Sequence, residues 1–330
     1  MTSLHRPNAM PSPATVPEAA VVAAADRLRA GEPVAFPTET VYGLGADTFN
    51  TAAIERVYAL KGRPADNPLI AHVLDPEQAR RVTAFWDDRC ELLARDCWPG
   101  PLTIVVPRAT DVPQIATAGW PSIAVRSPAH PVARRLLELF GGPISAPSAN
   151  RSGGISPTTA GHVADEFAGH ADLLVIDGGP CTVGIESTVV DLTGNVPRLL
   201  RPGSVGIEQL RAMLGEVVEP EPVQQTQSPG TTLRHYAPQT PTIMVNADEL
   251  GRRLAQTPAS ATVLCFDTAD VPPPHRAILM PATPEAYAAR LYAALREADR
   301  SGPERILVVR PPSAEGLWKA VLDRLRRATA

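Results

Sequence analysis

The sequence predicts a mixed α/β protein with two domains: an N-terminal domain on a twisted mixed sheet, a linker, and a small C-terminal α/β domain. Helical segments and short β-rich runs are interspersed along the first two thirds of the chain, and several β runs follow one another directly, which is typical of a mixed sheet. Residues 216–240 are rich in proline, glutamine and threonine, as linkers are. Beyond them strands and helices alternate, which predicts a parallel sheet.

The N-terminal domain is predicted to span residues 17–215, after a disordered arm at residues 1–16. Its first helix begins at Pro17 and ends before Gly31, residue types that favour helix starts and stops. The segment 37–47 is predicted as a loop. Strands are expected at 34–36, 68–73, 101–107, 122–126, 143–146, 173–177, 187–192 and 197–201. Further helices are expected at 51–60, within 76–97, and at 131–140, 158–168 and 207–214.

The C-terminal domain is predicted to span residues 241–330 and to follow the linker at 216–240. Its strands are expected at 242–246, 261–266, 277–280 and 305–310, and its helices at 248–256, 284–298 and 315–327.

Composition narrows the function classes. The net charge is −4 and the isoelectric point is about 6.0, whereas a dedicated nucleic-acid binder usually carries a basic domain. The four cysteines show no Cys-x-x-Cys spacing, so we expect reduced, mostly buried thiols and neither a zinc site nor a disulfide framework. No apolar run reaches the roughly 20 residues of a membrane helix, and the N-terminus lacks a signal peptide core. We therefore expect a cytoplasmic protein without membrane contact.

Cations cluster where the second predicted helix ends, although the usual phosphate-binding glycine motifs are absent from the chain. Lys61 and Arg63 flank Gly62, and Asn67 precedes the next strand, so these groups are placed to neutralise and orient phosphates. The alternative is a solvated helix end, where cations favour the helix dipole. Only Lys61 and Lys319 among the 31 basic residues are lysines, which favours a position at Lys61 that requires an ammonium group.

Other polar residues follow or lie on predicted strands. Arg126 shares a strand face with Ser122 and Ala124, which is typical of a pocket for a carboxylate or phosphate, although an exposed strand face has the same pattern. His72 on its own is more typical of a structural histidine. Hydroxyl and amide groups follow strands at Thr38, Glu39 and Thr40 and again at Ser145, Ser148, Asn150, Ser152 and Ser156. These loops suit a small polar substrate or ordinary turns.

Seven blocks together resemble the YrdC-like family of threonylcarbamoyl-AMP synthases. They are PTETVYGLGAD, KGRPADNPLIAHV, WPGPLTIVV, SIAVRSP, PISAPSANRSGGISPT, GIESTVVDL and RLLRPGSV, in the order and approximate spacing of that family. The linker SPGTTLRHYAP and the domain after it resemble the long two-domain form. The resemblance implies a YrdC-like catalytic domain and a small Rossmann-like C-terminal domain.

The resemblance also implies ligands and site residues. It implies a catalytic set of Lys61, Arg63, Ser148 and Asn150. It implies ATP contacts at Arg63, Asn67, Ser122, Ser148, Ser156, Arg201 and Tyr236, and threonine contacts at Thr38, His72, Arg126, Ala146 and Ser187. The implied nucleotidyltransferase reaction joins L-threonine, bicarbonate or CO2, and ATP, with Mg²⁺ accompanying the nucleotide, and its product passes to tRNA-modification proteins.

Two alternatives accompany this interpretation. One is a double-stranded-RNA-binding protein without catalysis, which the acidic isoelectric point disfavours but which leaves a weak RNA contact in view. The other is a YrdC-like module that carbamoylates a different acceptor, which the absence of acylphosphatase-like and zinc-finger segments disfavours. The linker residues Arg234, His235 and Tyr236 carry groups suited to a nucleotide, so we expect the linker to act as a lid over the site.

Overall fold

The computed structural model of the protein describes residues 16–219, 235–257 and 260–330. The predicted N-terminal arm therefore lies outside the described residues except for residue 16, and so does the linker segment 220–234, which includes Arg234.

A nine-stranded sheet forms the core of the N-terminal domain. Its strands, in chain order, are β1 (Val34–Phe36), β2 (Gly43–Asp47), β3 (Ile70–His72), β4 (Leu102–Pro107), β5 (Ser122–Arg126), β6 (Ile144–Ala146), β7 (Leu174–Val175), β8 (Thr188–Asp191) and β9 (Arg198–Arg201). The spatial order is β7-β1-β2-β6-β3-β5-β4-β8-β9. The sheet contains parallel pairs, such as β3 with β5, and antiparallel pairs, such as β4 with β5, so the predicted mixed sheet is confirmed.

Seven α-helices surround this sheet within the described residues. They are α1 (Glu18–Arg29), α2 (Thr51–Lys61), α3 (Pro76–Arg80), α4 (Asp88–Cys97), α5 (Pro131–Phe140), α6 (Ala160–Glu166) and α7 (Ile207–Leu214). The ends of α2 show why the chain turns where it does. The Asn50 side chain accepts a hydrogen bond from the Ala53 amide at the start, and Gly62 ends the helix at φ 59°. This end places Lys61 and Arg63 beside the sheet.

The C-terminal domain is a four-stranded parallel sheet with helices on both faces. It contains β10 (Thr242–Val245), β11 (Ala261–Cys265), β12 (Arg276–Leu279) and β13 (Arg305–Val309) in the order β10-β13-β11-β12, with helices α8 (Leu250–Ala255), α9 (Pro284–Arg300) and α10 (Leu317–Ala328). All three strand pairs are parallel, so the predicted Rossmann-like arrangement is confirmed.

One part of the sequence interpretation is corrected by the sheet. The segment 37–47 is not a loop throughout, because residues 43–47 form β2, which pairs with β1 and β6. The strand was not predicted because two of its five residues are glycines, which are uncommon within strands. A side chain at Gly45 would overlap Ile144 and Phe36, so close packing against β6 and β1 requires glycine there.

A single apolar cluster joins the two domains. Tyr292 and Leu291 of α9 pack in it together with Val41, Ile155 and Ile185 of the N-terminal domain. Since these side chains are buried, the C-terminal domain shares a hydrophobic core with the loops of the larger domain.

All four cysteines lie in the described residues and are unpaired, three of them buried, as expected. Across residues 16–219, 235–257 and 260–330, no helix has both the length and the apolar character needed to cross a membrane.

Gly184 is expected to be required for close contact between the domains. It has φ +76°, and a Cβ atom at this position would lie 2.4 Å from Cα of Ala289 in α9. Gly184→Ala should lower the free energy of unfolding by about 3 kcal/mol or more, since left-handed strain and overlap with backbone combine.

Gly302→Ala is the matched control, because Gly302 has φ +61° with open space around it and should lose only about 1–2 kcal/mol. Urea unfolding of both variants measures the difference. Equal losses would contradict the tight contact at Gly184.

Candidate functional site

A cavity lies over one face of the central strands. Ile70 of β3 stands opposite Ala124 of β5 and Ala146 of β6, and His72 stands opposite Arg126, so these positions share that face. The cavity is lined by Thr38, Thr40, Val41, Gly43, Arg63, Ile70, His72, Arg126, Ala146, Pro147, Ser148, Glu186, Ser187, Arg201, His235 and Tyr236. The site therefore combines strand residues with the strand-end loops that the sequence indicated.

Arg126 is buried at one side of the cavity in a network with the 38–40 loop. Its Nη2 donates to Oε1 of Glu39 at 2.6 Å, and its Nη1 donates to Oγ1 of Thr40 at 2.8 Å. Its Nε donates to the carbonyl of Gly100 at 3.2 Å. Among the described residues these bonds use three of the five guanidinium N–H groups, and one N–H on each terminal nitrogen is not used. That pair of donors suits a carboxylate.

The neighbouring polar groups are neutral or fixed. Burial, together with the charge of Arg126, lowers the pKa of His72 to about 3, so its imidazole is neutral at pH 7. The Thr38 hydroxyl lies 2.8 Å from that of Thr40 and donates to the carbonyl of Val41 at 2.6 Å. This side of the cavity therefore offers a cation, a neutral imidazole and hydroxyl groups.

Lys61 does not line the cavity but holds the loop that does. It is 2% exposed, and its Nζ donates to the carbonyl of Ser148 at 2.6 Å and to the carbonyl of Asn150. Burial, with the charge of Arg63, lowers the pKa of Lys61 well below its usual value. An ammonium between two carbonyls explains why this position keeps a lysine in an arginine-rich chain.

Arg63 is fixed by the turn that follows α2. Its Nε donates to the carbonyl of Asn67 at 2.9 Å, and its Nη2 donates to the Asn67 side chain and to the carbonyl of Pro68. Asn67 therefore orients Arg63 and does not itself line the cavity. Burial lowers the pKa of Arg63 to about 10, which leaves it charged at neutral pH.

Arg201 and Ser187 also line the cavity and contact each other. Nε of Arg201 donates to the carbonyl of Ser187 at 3.0 Å, and its Nη2 contacts the Ser187 hydroxyl at 3.1 Å. That hydroxyl lies 2.7 Å from the hydroxyl of Thr103. Burial lowers the pKa of Arg201 from its usual value.

Glu186 is a lining residue that the sequence interpretation missed. Its Oε1 accepts from the Ser156 hydroxyl at 2.6 Å, and its Oε2 accepts from Tyr292 and from Nε of Arg324, each at 2.8 Å. Burial alone would raise the pKa of Glu186, but Arg324, Arg201 and the Ser156 hydroxyl lower it to about 2. A carboxylate within the apolar block GIESTVVDL was the available signal.

The end of the linker closes the cavity. His235 and Tyr236 are buried, and the Tyr236 ring stacks on Tyr292 with 5.5 Å between centroids and lies 5.4 Å from the Arg324 guanidinium. Tyr236 has φ 62°, which is uncommon for a residue with a side chain. Within the described part of the chain its buried hydroxyl has no hydrogen-bond partner.

The structure brings most of the residues implied by the resemblance to one cavity. Those that line it are Thr38, Arg63, His72, Arg126, Ala146, Ser148, Ser187, Arg201 and Tyr236. Those that do not are Lys61, Asn67, Ser122, Asn150 and Ser156. Lys61 and Asn67 each hold a lining residue or its loop, and Ser156 contacts Glu186. Asn150 donates to the carbonyls of Arg151 and Gly154, and Ser122 lies at the start of β5.

Within the described ranges, no group of three or more His, Cys, Asp and Glu side chains is arranged to hold a metal ion. Glu39 is bound to Arg126 and Glu186 to Arg324, so these two carboxylates are held by cations.

Comparisons with known proteins find matches to both domains of the chain. A family model described as Telomere recombination, for Sua5, YciO and YrdC proteins, matches residues 26–203, and one described as Threonylcarbamoyl-AMP synthase, C-terminal domain, matches residues 205–330. A threonylcarbamoyl-AMP synthase of Pyrococcus abyssi is 41% identical over 93% of each chain, and one of Bacillus subtilis is 38% identical over 93% of this chain and 92% of its own.

Two solved structures of P. abyssi Sua5 are similar to this structure over nearly the whole chain. P. abyssi Sua5 in complex with L-threonine superposes with a TM-score of 0.87 at 40% identity over 95% of both chains. A variant of P. abyssi Sua5 with a histidine and a tyrosine replaced by alanine superposes with a TM-score of 0.89 at 39% identity, over 95% of this chain and 93% of that one.

Lys61→Met is expected to destabilise the protein, because it leaves two buried carbonyls without their donor, at about 1–3 kcal/mol each. Lys61→Arg should lower the free energy of unfolding by a smaller amount than Lys61→Met, because the larger guanidinium does not fit the position of the ammonium. Lys319→Met is the control, because the Lys319 side chain is 40% exposed and forms a surface ion pair with Glu219. Chemical unfolding measures the stability of all three variants. Equal losses of stability in Lys61→Met and Lys319→Met would contradict the proposal that Lys61 holds the two buried carbonyls.

Glu186 is expected to make stability depend on acid. Its folded pKa of about 2 lies below its ordinary 4.5, so the stabilisation is complete above pH 4.5 and is lost as the pH falls toward 2. The difference in free energy of unfolding between the wild type and Glu186→Gln should fall by about 3 kcal/mol, in disfavour of the wild type, between pH 5 and pH 2. Glu208→Gln removes an exposed carboxylate as the control. A constant advantage in urea unfolding across this range would refute the shift.

Proposed function

The chain belongs to the family of threonylcarbamoyl-AMP synthases, and from that premise we propose that it forms threonylcarbamoyl-AMP and pyrophosphate from L-threonine, bicarbonate or CO2, and ATP. The proposed activity is that of an L-threonylcarbamoyladenylate synthase, a nucleotidyltransferase that serves the biosynthesis of threonylcarbamoyladenosine in tRNA. It is proposed to act in the cytoplasm.

One observation carries the proposal. A single cavity is lined by one group of residues, Arg126, His72 and Thr38, and by a second, Arg63 and Arg201. The first group suits an amino acid with a carboxylate, and the second suits a polyphosphate. A site for both substrates within one cavity is what the joining reaction requires.

The proposed chemistry begins at the threonine amine. With its carboxylate on Arg126, the amine adds to CO2 and loses a proton to give a carbamate. A carbamate oxygen then attacks the α-phosphorus of ATP, the bond to the β-phosphate oxygen breaks, and pyrophosphate leaves. No protein nucleophile is needed, so the chain contributes positioning and charge stabilisation through Arg63 and Arg201. Lys61 contributes by fixing the loop of Ser148.

Mg²⁺ is proposed to arrive as part of the nucleotide substrate. Triphosphate oxygens supply the hard ligands that this ion prefers, and the ion keeps several of its waters when so bound. This assignment agrees with the cation-bound state of Glu39 and Glu186.

The linker is proposed to act as a lid over the product. Threonylcarbamoyl-AMP is a mixed anhydride that water hydrolyses, so the reaction requires a closed site. His235 and Tyr236 already form part of the cavity wall. The Tyr236 hydroxyl, buried and without a described partner, would gain one from a bound nucleotide.

The product is proposed to pass to tRNA-modification proteins, with at most a weak contact to RNA. The relatives described above are named as synthases, and their names give no support to a double-stranded-RNA-binding protein without catalysis.

Pyrophosphate release tests the function directly. With ATP, Mg²⁺ and bicarbonate, we expect release to depend on L-threonine when each of the twenty amino acids is supplied in turn. Omission of bicarbonate should abolish the release. Equal release with all amino acids, or none with threonine, would refute the proposal.

Arg126→Ala is expected to weaken threonine binding by about 2–5 kcal/mol, because the carboxylate loses its charged partner. Calorimetry with threonine measures this. Since Arg126→Ala also leaves buried Glu39 without its cation, Glu39→Gln serves as the control that disturbs the same ion pair yet keeps the arginine. Equal losses of affinity in the two variants, or no loss in Arg126→Ala, would rule out a direct contact.

A further inference from the structure

Glu186 presents an electrostatic difficulty for the site. It lines the cavity and is ionised, and a carboxylate in the wall of a triphosphate site repels the phosphates. The cations of the cavity, Arg63, Arg126 and Arg201, attract the same phosphates. Affinity for ATP therefore depends on how the charge of Glu186 is balanced.

The balancing charge comes from the other domain. Arg324 of α10 is 0% exposed, and its Nε lies 2.8 Å from Oε2 of Glu186. Its Nη2 donates to the carbonyl of Pro202 at 3.0 Å and contacts that of Glu186 at 3.4 Å. Arg324 thus binds the backbone at Glu186 and Pro202, the neighbours in sequence of Ser187 and Arg201, and it also pairs with the Glu186 carboxylate.

We propose that Arg324 is a positioning residue of the ATP site: it reaches from the C-terminal domain and cancels the charge of Glu186, so that the cavity stays attractive to a triphosphate. This inference rests on the proposed function, because it takes ATP as the ligand of the cavity. It assigns the C-terminal domain a direct part in nucleotide binding, besides its share in the apolar core.

Four further contacts fit this role. The Ser156 and Tyr292 hydroxyls hold the carboxylate from the N-terminal and C-terminal domains respectively, so Glu186 is fixed while charged. Arg324 also has Asp323 as an acceptor at 2.6 Å, so its side chain keeps a partner when Glu186 is changed. The guanidinium lies over the ring of Tyr236, which joins it to the linker wall of the same cavity.

The test measures ATP affinity by calorimetry in the full chain with Mg²⁺ present. Arg324→Met should weaken ATP binding about tenfold or more, because Glu186 is then a buried charge without its cation. Glu186→Gln in the Arg324→Met background should restore affinity to within about threefold of the wild type, since the repelling charge is gone. Arg300→Ala, which removes an exposed ion pair between the same domains with Asp165, should leave affinity unchanged.

Restoration by the second change separates charge compensation from a purely structural role, in which the double variant would bind no better than Arg324→Met. A folded Arg324→Met protein with wild-type affinity, or a double variant without recovery, overturns the proposal. If Arg324→Met does not fold, Glu186→Gln alone decides: affinity equal to or tighter than the wild type supports the proposal, and tenfold weaker binding overturns it. Because ATP binding is measured without turnover, a wild type that binds ATP but releases no pyrophosphate contradicts the proposed function and leaves this inference intact.

Discussion

The structure depends on one buried charge, the carboxylate of Glu186. Removing such a charge from water costs several kcal/mol, and the cost is met only when close partners replace the lost water. Here the partners come from both domains: Ser156 from the larger, and Tyr292 and Arg324 from the smaller. The two domains must therefore be docked for Glu186 to be satisfied. Replacing a buried ion pair by apolar residues of similar size is often neutral or stabilising, because such residues pack without this cost.

Apolar packing supplies the stability that the ion pair does not. Ile185 and Val41 are buried against Leu291 in the cluster shared by the domains, and burial of such side chains is worth about 1.5–3 kcal/mol each. Gly184, next to Ile185, allows the chain to approach the backbone of α9. The sequence Gly-Ile-Glu-Ser thus places close contact, apolar packing, a fixed charge and a site residue in consecutive positions.

Most of the fold was predictable because its signals are local. Helix α2 begins at Asn50 and ends at Gly62, and β5 alternates small and apolar residues, so each element is encoded in its own few residues. Strand β2 was missed because Gly43 and Gly45 lack the side chains that mark strands, and the reason for them lies in Phe36 and Ile144, which are distant in sequence. The residues at the site were indicated by seven blocks that resemble a family, since Arg126 alone was equally typical of an exposed strand.

What the sequence did not indicate are the partners that hold the site residues. Glu39 binds Arg126 from a separate loop, and Arg324 reaches Glu186 from 138 residues away. On an amphipathic helix such as α10, an arginine that faces a partner domain has the same local pattern as one that faces water. The role of Arg324 depends on the Glu186 carboxylate that it contacts, and the spacing of residues along α10 does not indicate that contact. This explains why the lining residues of the cavity can be inferred from motifs, whereas the ion pairs that surround them emerge only when the two domains are seen together.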